Sequence, residues 1–398
     1  MPARPSLGAA DAATFPRSHS CNVAVICAAD VPLRGPGRQT IEKAGRKTTI
    51  RDIALEAGVS KSTVSRVLNN SAVVDAETRR RVLSVMERNR YSPSSVAQNL
   101  SRRETGVIGI VIPEIENPYF GKILRHIARL VDAAGFTLTC FVTDNLGSKD
   151  LAALRTLRND RVRGIIYAPA NAFTEPAVGR EVEQFVREGD IPLVIIDRRF
   201  TVPDRDGVFF DDERASALAV RILAAAGHKD IALINGHEGL GVASARQRGY
   251  VEALAEAGLP FREELVYGCE FTVSSAYEQA QRMLSAPRLP SAVLTCSNYI
   301  TMGFFKALTE RGLGVPRDIE LIGFDEIDAF DYLGVRYNHI YRNTEQMAGK
   351  AIDLLIGRIE NREKSSETLI IGPKYALGDD LRDAALKAGV LTAELLVE

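Results

Sequence analysis

Apolar positions repeat in two different ways along this chain, and the change falls near residue 106. In TTIRDIALEAGVSKSTVSRVLNN, beginning at Thr48, Ile50, Ile53 and Ala54 share one face of a short helix. Val64, Val67 and Leu68 share one face of a second. Gly58 lies between them, where a tight turn needs a backbone free to take positive φ. Ser60 is placed to cap the second helix, its hydroxyl satisfying a free backbone N–H. A third helix, capped by Asp75 and running to about Asn89, turns Val82, Val85 and Met86 inward. Three short helices then close a small core over 48–92. Tyr91-Ser92-Pro93 ends the last of them, because proline disfavours helical geometry in the residue before it.

From Gly106 onward, apolar strands alternate with amphipathic helices. Strands are expected at 106–112, 136–142, 163–168, 191–196, 207–210, 230–235, 291–295 and 319–323. Helices are expected at 119–134, 148–158, 211–226, 243–257, 274–285 and 298–311. Such alternation with short connections predicts doubly wound parallel sheets. The stretch 106–375 is too long for one such sheet, so it divides into two lobes, with a crossover expected at 198–206. Ligands of open α/β sheets bind beyond the carboxyl ends of the strands, so two facing lobes make a cleft.

The outer side of the second helix carries Lys61, Ser62, Ser65, Arg66 and Asn69, with Thr63 beside them. A short, donor-rich helix braced by another is what reading a major groove requires. Arg66, Lys61 and Ser62 are the candidates for base contacts, and Asn69 and Thr49 for phosphates. The stretch 93–105, with Ala97 and Leu100, forms one or two helical turns at most, and an isolated helix that short is marginal in water. It folds against a partner, and Leu100 is suited to wedge a base step in the minor groove.

Charge follows the same division. Residues 41–105 carry 13 Lys and Arg against 7 Asp and Glu, whereas 106–398 carry 33 against 42. The basic surplus lies where a phosphate backbone would run. Five scattered cysteines make no metal-ligand spacing and fit a reducing cytoplasm. No run of 18 apolar residues exists to span a membrane. Residues 1–47 are rich in Ala, Pro, Gly and Arg without periodicity, and are expected to be a disordered extension.

The segment that opens at Thr48, together with ETRRRV (77–82), YSPSSVAQNL (91–100) and IGIVIPEIENPYF (108–120), resembles the lactose-repressor (LacI) family of transcriptional regulators. PLVIIDRR (192–199), GHKDIALI (227–234), ARQRGYVEAL (245–254) and DIELIGFDE (318–326) follow in the family's order. The resemblance runs from about residue 48 to about residue 375. It implies a helix-turn-helix headpiece joined to a two-lobed domain like that of periplasmic binding proteins. It implies a homodimer that binds a pseudo-palindromic operator on double-stranded DNA. The hinges of two subunits would pair in the minor groove at the operator centre. A sugar or sugar acid bound between the lobes would control operator affinity by shifting the equilibrium between DNA-competent and incompetent states. The family fold adds crossovers near 325–336 and near 342, with 337–341 returning to the first lobe and 367–371 to the second.

The cleft loops hold suitable groups. Asn117, Tyr119 and Phe120 follow the first strand, and Asp197 and Asp325 end two others. Arg248 lies in a loop-to-helix segment. In the family, the matching positions hydrogen-bond effector hydroxyls, and Asp and Arg suit vicinal hydroxyls. Asp325 and Arg248 are the preferred candidates. Two departures stand out. Where many relatives have Ala-Asn-Asp, this chain has Cys296-Ser297-Asn298, an amide in place of a carboxylate. Where relatives often read Leu-Thr-Thr-Val and then Gln, it has Tyr337-Asn338-His339-Ile340 and then Arg342. Loss of an acid and gain of His339 and Arg342 favour an anionic effector such as a sugar acid, and a neutral sugar stays open because crossover residues need not face the ligand.

Enzyme motifs are missing. Gly236-His-Glu-Gly-Leu-Gly241 lacks the dinucleotide spacing, and neither a phosphate loop nor a nucleophile elbow occurs, so no cofactor and no catalytic residue is expected. The alternative is a periplasmic-type solute-binding protein, which shares the two-lobed fold. The headpiece and the lack of a secretory signal argue against it. The tail 376–398 carries leucines without a 3.5-residue repeat, so tetramerisation through it is not expected.

Overall fold

The computed structural model describes residues 23–27, 49–68, 73–89, 105–170, 175–200, 202, 204–237 and 241–397. Among them no helix is long and apolar enough to cross a membrane.

The headpiece is α1 (Ile50–Glu56), α2 (Lys61–Leu68) and α3 (Ala76–Arg88). Thr49 caps α1 in a box with Asp52, Ser60 accepts the amide of Thr63 at 3.1 Å, and Asp75 accepts the amides of Glu77 and Thr78. Gly58 takes a φ of +64° between α1 and α2. The three amphipathic faces meet in a separate core of Ile53, Ala54, Ala57, Val64, Val67, Val82, Val85 and Met86.

The first lobe is built on β1 (Val23–Cys27), β2 (Val107–Ile112), β3 (Thr137–Val142), β4 (Gly164–Tyr167), β5 (Leu193–Asp197), β6 (Asp206–Phe210) and β12 (Thr368–Ile371), in the order β1-β3-β2-β4-β5-β6-β12, all parallel. Its connections are α4 (Pro118–Ala133), α5 (Gly147–Asn159), α6 (Pro176–Glu188) and the late α12 (Thr344–Glu360), which packs on α4. Helices on both faces explain why β2, β4 and β5 read as unbroken apolar runs instead of alternating.

The second lobe holds β7 (Ile231–Gly236), β8 (Val266–Cys269), β9 (Ala292–Thr295), β10 (Glu320–Phe324), β11 (Asn338–Tyr341) and β13 (Lys374–Ala376), in the order β13-β11-β10-β9-β7-β8, with only β13 antiparallel to its neighbour. Its helices are α7 (Asp212–Ala225), α8 (Gly241–Glu256), α9 (Val273–Leu284), α10 (Asn298–Glu310), α11 (Asp328–Tyr332) and α13 (Asp379–Lys387). α8 presses onto α7 at Gly249, where a Cβ would stand 2.0 Å from the carbonyl oxygen of Glu213.

Three expectations are corrected. The strand at 338–341 stays in the second sheet, beside β10, and the strand at 368–371 joins the first, beside β6, the reverse of the expected placement. The crossovers accordingly fall after β6, near Arg342 and between β12 and β13, not at 198–206 or 325–336. Apolar periodicity locates a strand but does not encode which strand pairs with it. Within the supposedly disordered 1–47, Val23–Cys27 is a strand that covers the outer edge of β3 over five paired positions. In the segment after residue 375, Leu381, Ala385 and Leu391 are buried in the core of the second lobe.

Candidate functional site

On the headpiece, Lys61, Ser62 and Arg66 are exposed along the outer side of α2. Neither cation makes an ion pair among the described residues. Ser60 Oγ lies 2.7 Å from Ser62 Oγ and 2.8 Å from Thr63 Oγ1, so the start of α2 carries a hydroxyl cluster on a capped helix end. Thr49 is exposed at the start of α1, and Ser65 is half-buried. Fixed donors project from a helix whose opposite side is locked into the small core, an arrangement suited to base edges and phosphates. Asn69, Ala97 and Leu100 lie outside the described residues.

The cleft between the lobes gathers side chains far apart in sequence. Asp197 ends β5 and Asp325 follows β10, and both adopt left-handed backbone, with φ of 65° and 72°. Such a conformation costs an Asp about 1–3 kcal/mol and persists where the surroundings over-determine it. The two carboxylates reach the same guanidinium. Arg342 Nε donates to Asp325 Oδ1 at 2.6 Å and Nη2 to Asp325 Oδ2 at 2.8 Å, while Nη1 donates to Asp197 Oδ1 at 3.2 Å. The Arg342 guanidinium also lies 3.5 Å from the ring centre of Tyr119, whose hydroxyl donates to Asp197 Oδ1 at 2.7 Å. Burial alone would raise the Asp325 carboxyl, but the charge and hydrogen bonds of Arg342 outweigh it and hold the group below its ordinary 3.8. Burial pushes the Tyr119 hydroxyl well above its usual range, so it is a donor and not a phenolate.

Of the other expected residues, Asn298 opens α10 just after its cap Ser297 and donates to Asn117 Oδ1 at 2.9 Å, joining the lobes. Phe120 is buried, 5.4 Å below the guanidinium of Arg198. Arg248 departs from expectation. Its side chain is 61% exposed and paired with Glu213 at the outer rim. The inward arginine is Arg246, which is 2% exposed. It donates to Asp212 at 2.8 Å and to the carbonyl of Cys296, and its guanidinium lies 4.0 Å over the ring of Phe324. The helical period contained the signal: Arg246 shares a face with Ala243, Gly249, Tyr250 and Ala253, all buried, and Arg248 points the other way. Arg198 was also missed. Its side chain is 11% exposed, donates to Asn145 Oδ1 at 2.6 Å, and places Nε 3.7 Å from Asp197.

Only half of the expected cationic bias survives. Arg342 faces the cleft, but His339 sits outside its lining, tilted on Tyr337, and burial lowers it below 6.5 towards the neutral form. The inner cleft is lined by three carboxylates, Glu114, Asp197 and Asp325, and three guanidiniums, Arg198, Arg246 and Arg342, so neither sign has a surplus. Its free volume is about 50 Å³. A wider mouth of about 470 Å³, sharing Asp197, Arg198 and Val242 with it, opens between Phe210, Asp212, Ser244 and Arg248. Among the described residues, no cluster of three His, Cys, Asp or Glu could hold a metal ion.

Comparison with known proteins agrees with this division. Residues 105–376 match the periplasmic binding proteins and sugar binding domain of the LacI family, and residues 49–94 match the bacterial regulatory proteins of the lacI family. The HTH-type transcriptional repressor PurR of Actinobacillus pleuropneumoniae is 31% identical over 84% of this chain and 98% of its own length. The ribose operon repressor of Haemophilus influenzae is 28% identical over 84% of the chain and 98% of its own. The Lac repressor bound to ONPG in its repressed state superposes with a TM-score of 0.73 at 25% identity, over 83% of this chain and 99% of that one.

Proposed function

The chain belongs to the LacI family of bacterial regulatory proteins, a DNA-binding transcriptional regulator, and on that premise we propose that it is a cytoplasmic repressor whose operator affinity is set by a small polyhydroxylated effector, a sugar or sugar acid. The observation that carries the effector reading is the pair Asp197 and Asp325. Each ends a strand of a different lobe in strained backbone, and both converge on one point of the cleft. Carboxylates accept from vicinal hydroxyls, and Arg246, Asn298 and Asn117 add donors and acceptors around them.

On the DNA side, α2 enters the major groove, where Arg66, Lys61 and Ser62 contact bases and Thr49 a phosphate. Two heads related by a twofold axis read a pseudo-palindrome, so the protein acts as a homodimer. Asn69 adds a phosphate contact, and Ala97 and Leu100 of the hinge meet the minor groove. Effector binding changes the angle between the lobes, which biases the hinges between paired and separated arrangements.

Selection of operator sequences from a random duplex pool with the full chain, followed by titration of sugars and aldonic acids into the complex, tests both halves. A twofold-related consensus and a ligand that shifts affinity by about five-fold or more are expected. A selected pool without twofold symmetry, or binding unmoved by any ligand that raises the melting temperature, would refute it.

A further inference from the structure

Effector hydroxyls need carboxylate oxygens, and in this cleft three of the four oxygens of Asp197 and Asp325 already accept a hydrogen bond. Both oxygens of Asp325 accept from Arg342, and Asp197 Oδ1 accepts from Arg342 and Tyr119 together. Around these groups the inner cleft leaves a free volume of about 50 Å³, far below the roughly 300–1,000 Å³ of ordinary ligand pockets, while the mouth beyond Asp197 and Arg198 widens to about 470 Å³. We infer that Arg342 is an internal competitor for the effector: its guanidinium ties the two lobes together through Asp325 and Asp197, and an effector binds by displacing it from Asp197. This rests on the reading of the cleft as the effector site, and adds what the effector must overcome.

The geometry says which bond yields. Arg342 follows β11 and Asp325 follows β10, two paired strands of the second lobe, so they move as one body. Their contact is a fork of two short bonds, the strong form of an arginine–carboxylate pair. The contact to Asp197, on β5 of the first lobe, is a single bond at 3.2 Å. Separation of the lobes breaks that bond and the stacking on Tyr119, which belongs to α4 of the first lobe. Asp197 is not then stranded, since it keeps the Tyr119 hydroxyl and Arg198. Displacement is thus an exchange of partners, without an isolated buried charge. Among the described residues a second charged tie between the lobes, Lys122 with Glu326 and Asp328, is partly exposed and so contributes little.

The test needs no effector. Spin labels at Gln184→Cys and Glu278→Cys, both exposed positions on different lobes, report the inter-lobe distance in the full chain, with Cys21 and Cys27 replaced by Ser and the labelled chain diluted into unlabelled. Without added ligand, the parent protein gives one short, closed distance. Arg342→Gln raises the open fraction about tenfold, and Arg342→Lys, which keeps the charge but not the fork, falls between. Lys122→Gln shifts it less than about twofold. Should Arg342→Gln fold poorly, Asp197→Asn weakens the cross-lobe bond and leaves the Arg342–Asp325 pair intact, and it too must open the cleft. Closed distances in both Arg342→Gln and Asp197→Asn, or a parent protein that is already open, overturn the inference. If instead the variants open while no sugar or aldonic acid shifts DNA binding, the internal tie stands and the effector reading falls.

Discussion

Arg66 on the headpiece and Arg342 in the cleft are the same side chain in opposite circumstances. Arg66 stands exposed on α2 with no carboxylate partner among the described residues. Arg342 is buried, stacked on Tyr119, and shared by two aspartates. The first is a charge left over for a partner that brings phosphates and base edges. The second is a charge already spoken for, so that any ligand must compete for it. The headpiece advertises its function in its own sequence; the cleft holds its function in an arrangement of six charges that nearly cancel.

The largest expected effect lies within the cleft. Arg246→Ala strips Asp212 of its buried partner and should cost about 3–5 kcal/mol of core stability. Arg248→Ala, at the exposed rim, should stay within about 0.5 kcal/mol. Chemical denaturation followed in the core separates them, and equal losses would erase the distinction between the two arginines.

The headpiece should answer in the opposite sense. Arg66→Ala should weaken specific operator binding by about 1–3 kcal/mol while affecting random duplex less. Its melting temperature should match the parent's, because an exposed side chain with no partner supports nothing. A drop in melting temperature comparable to that of Arg246→Ala would mean that Arg66 is structural after all.

A smaller effect sharpens the contrast through pH. Burial depresses His339 below 6.5, so the unfolded chain takes up the proton first as pH falls. Stability from the buried neutral ring is therefore complete above about pH 6.5 and is lost on acidification through that value. Melting temperatures at about pH 7.5 and 5.5 should show a shallower loss in His339→Gln than in the parent. An identical slope would remove His339 from the acid response of the second lobe.

Much of the fold was legible because much of it is local. The caps at Thr49, Ser60 and Asp75, the glycine turn at Gly58 and the apolar faces of α1 to α3 each depend on residues within one or two turns. The strands β2, β3 and β10 announced themselves as apolar runs that need cover on both faces. β8, α6, α12 and α13 were not anticipated. β8 is four residues with Gly268 inside it, and the run around α12 can be read as helix only once its neighbours in space are known.

The sequence by itself determined the headpiece, the alternation of strands and helices and the presence of two acids at strand ends, because each follows from periodicity or from a side chain's bond to nearby backbone. Only the tertiary structure decided that β11 and β12 exchange the lobes expected for them, since a strand's apolar pattern does not name its hydrogen-bonding partner. It alone brought Asp197 and Asp325 onto Arg342 across 145 and 17 residues of chain. Burial gives those ionic contacts their weight, and burial is a property of the folded whole that no stretch of sequence contains.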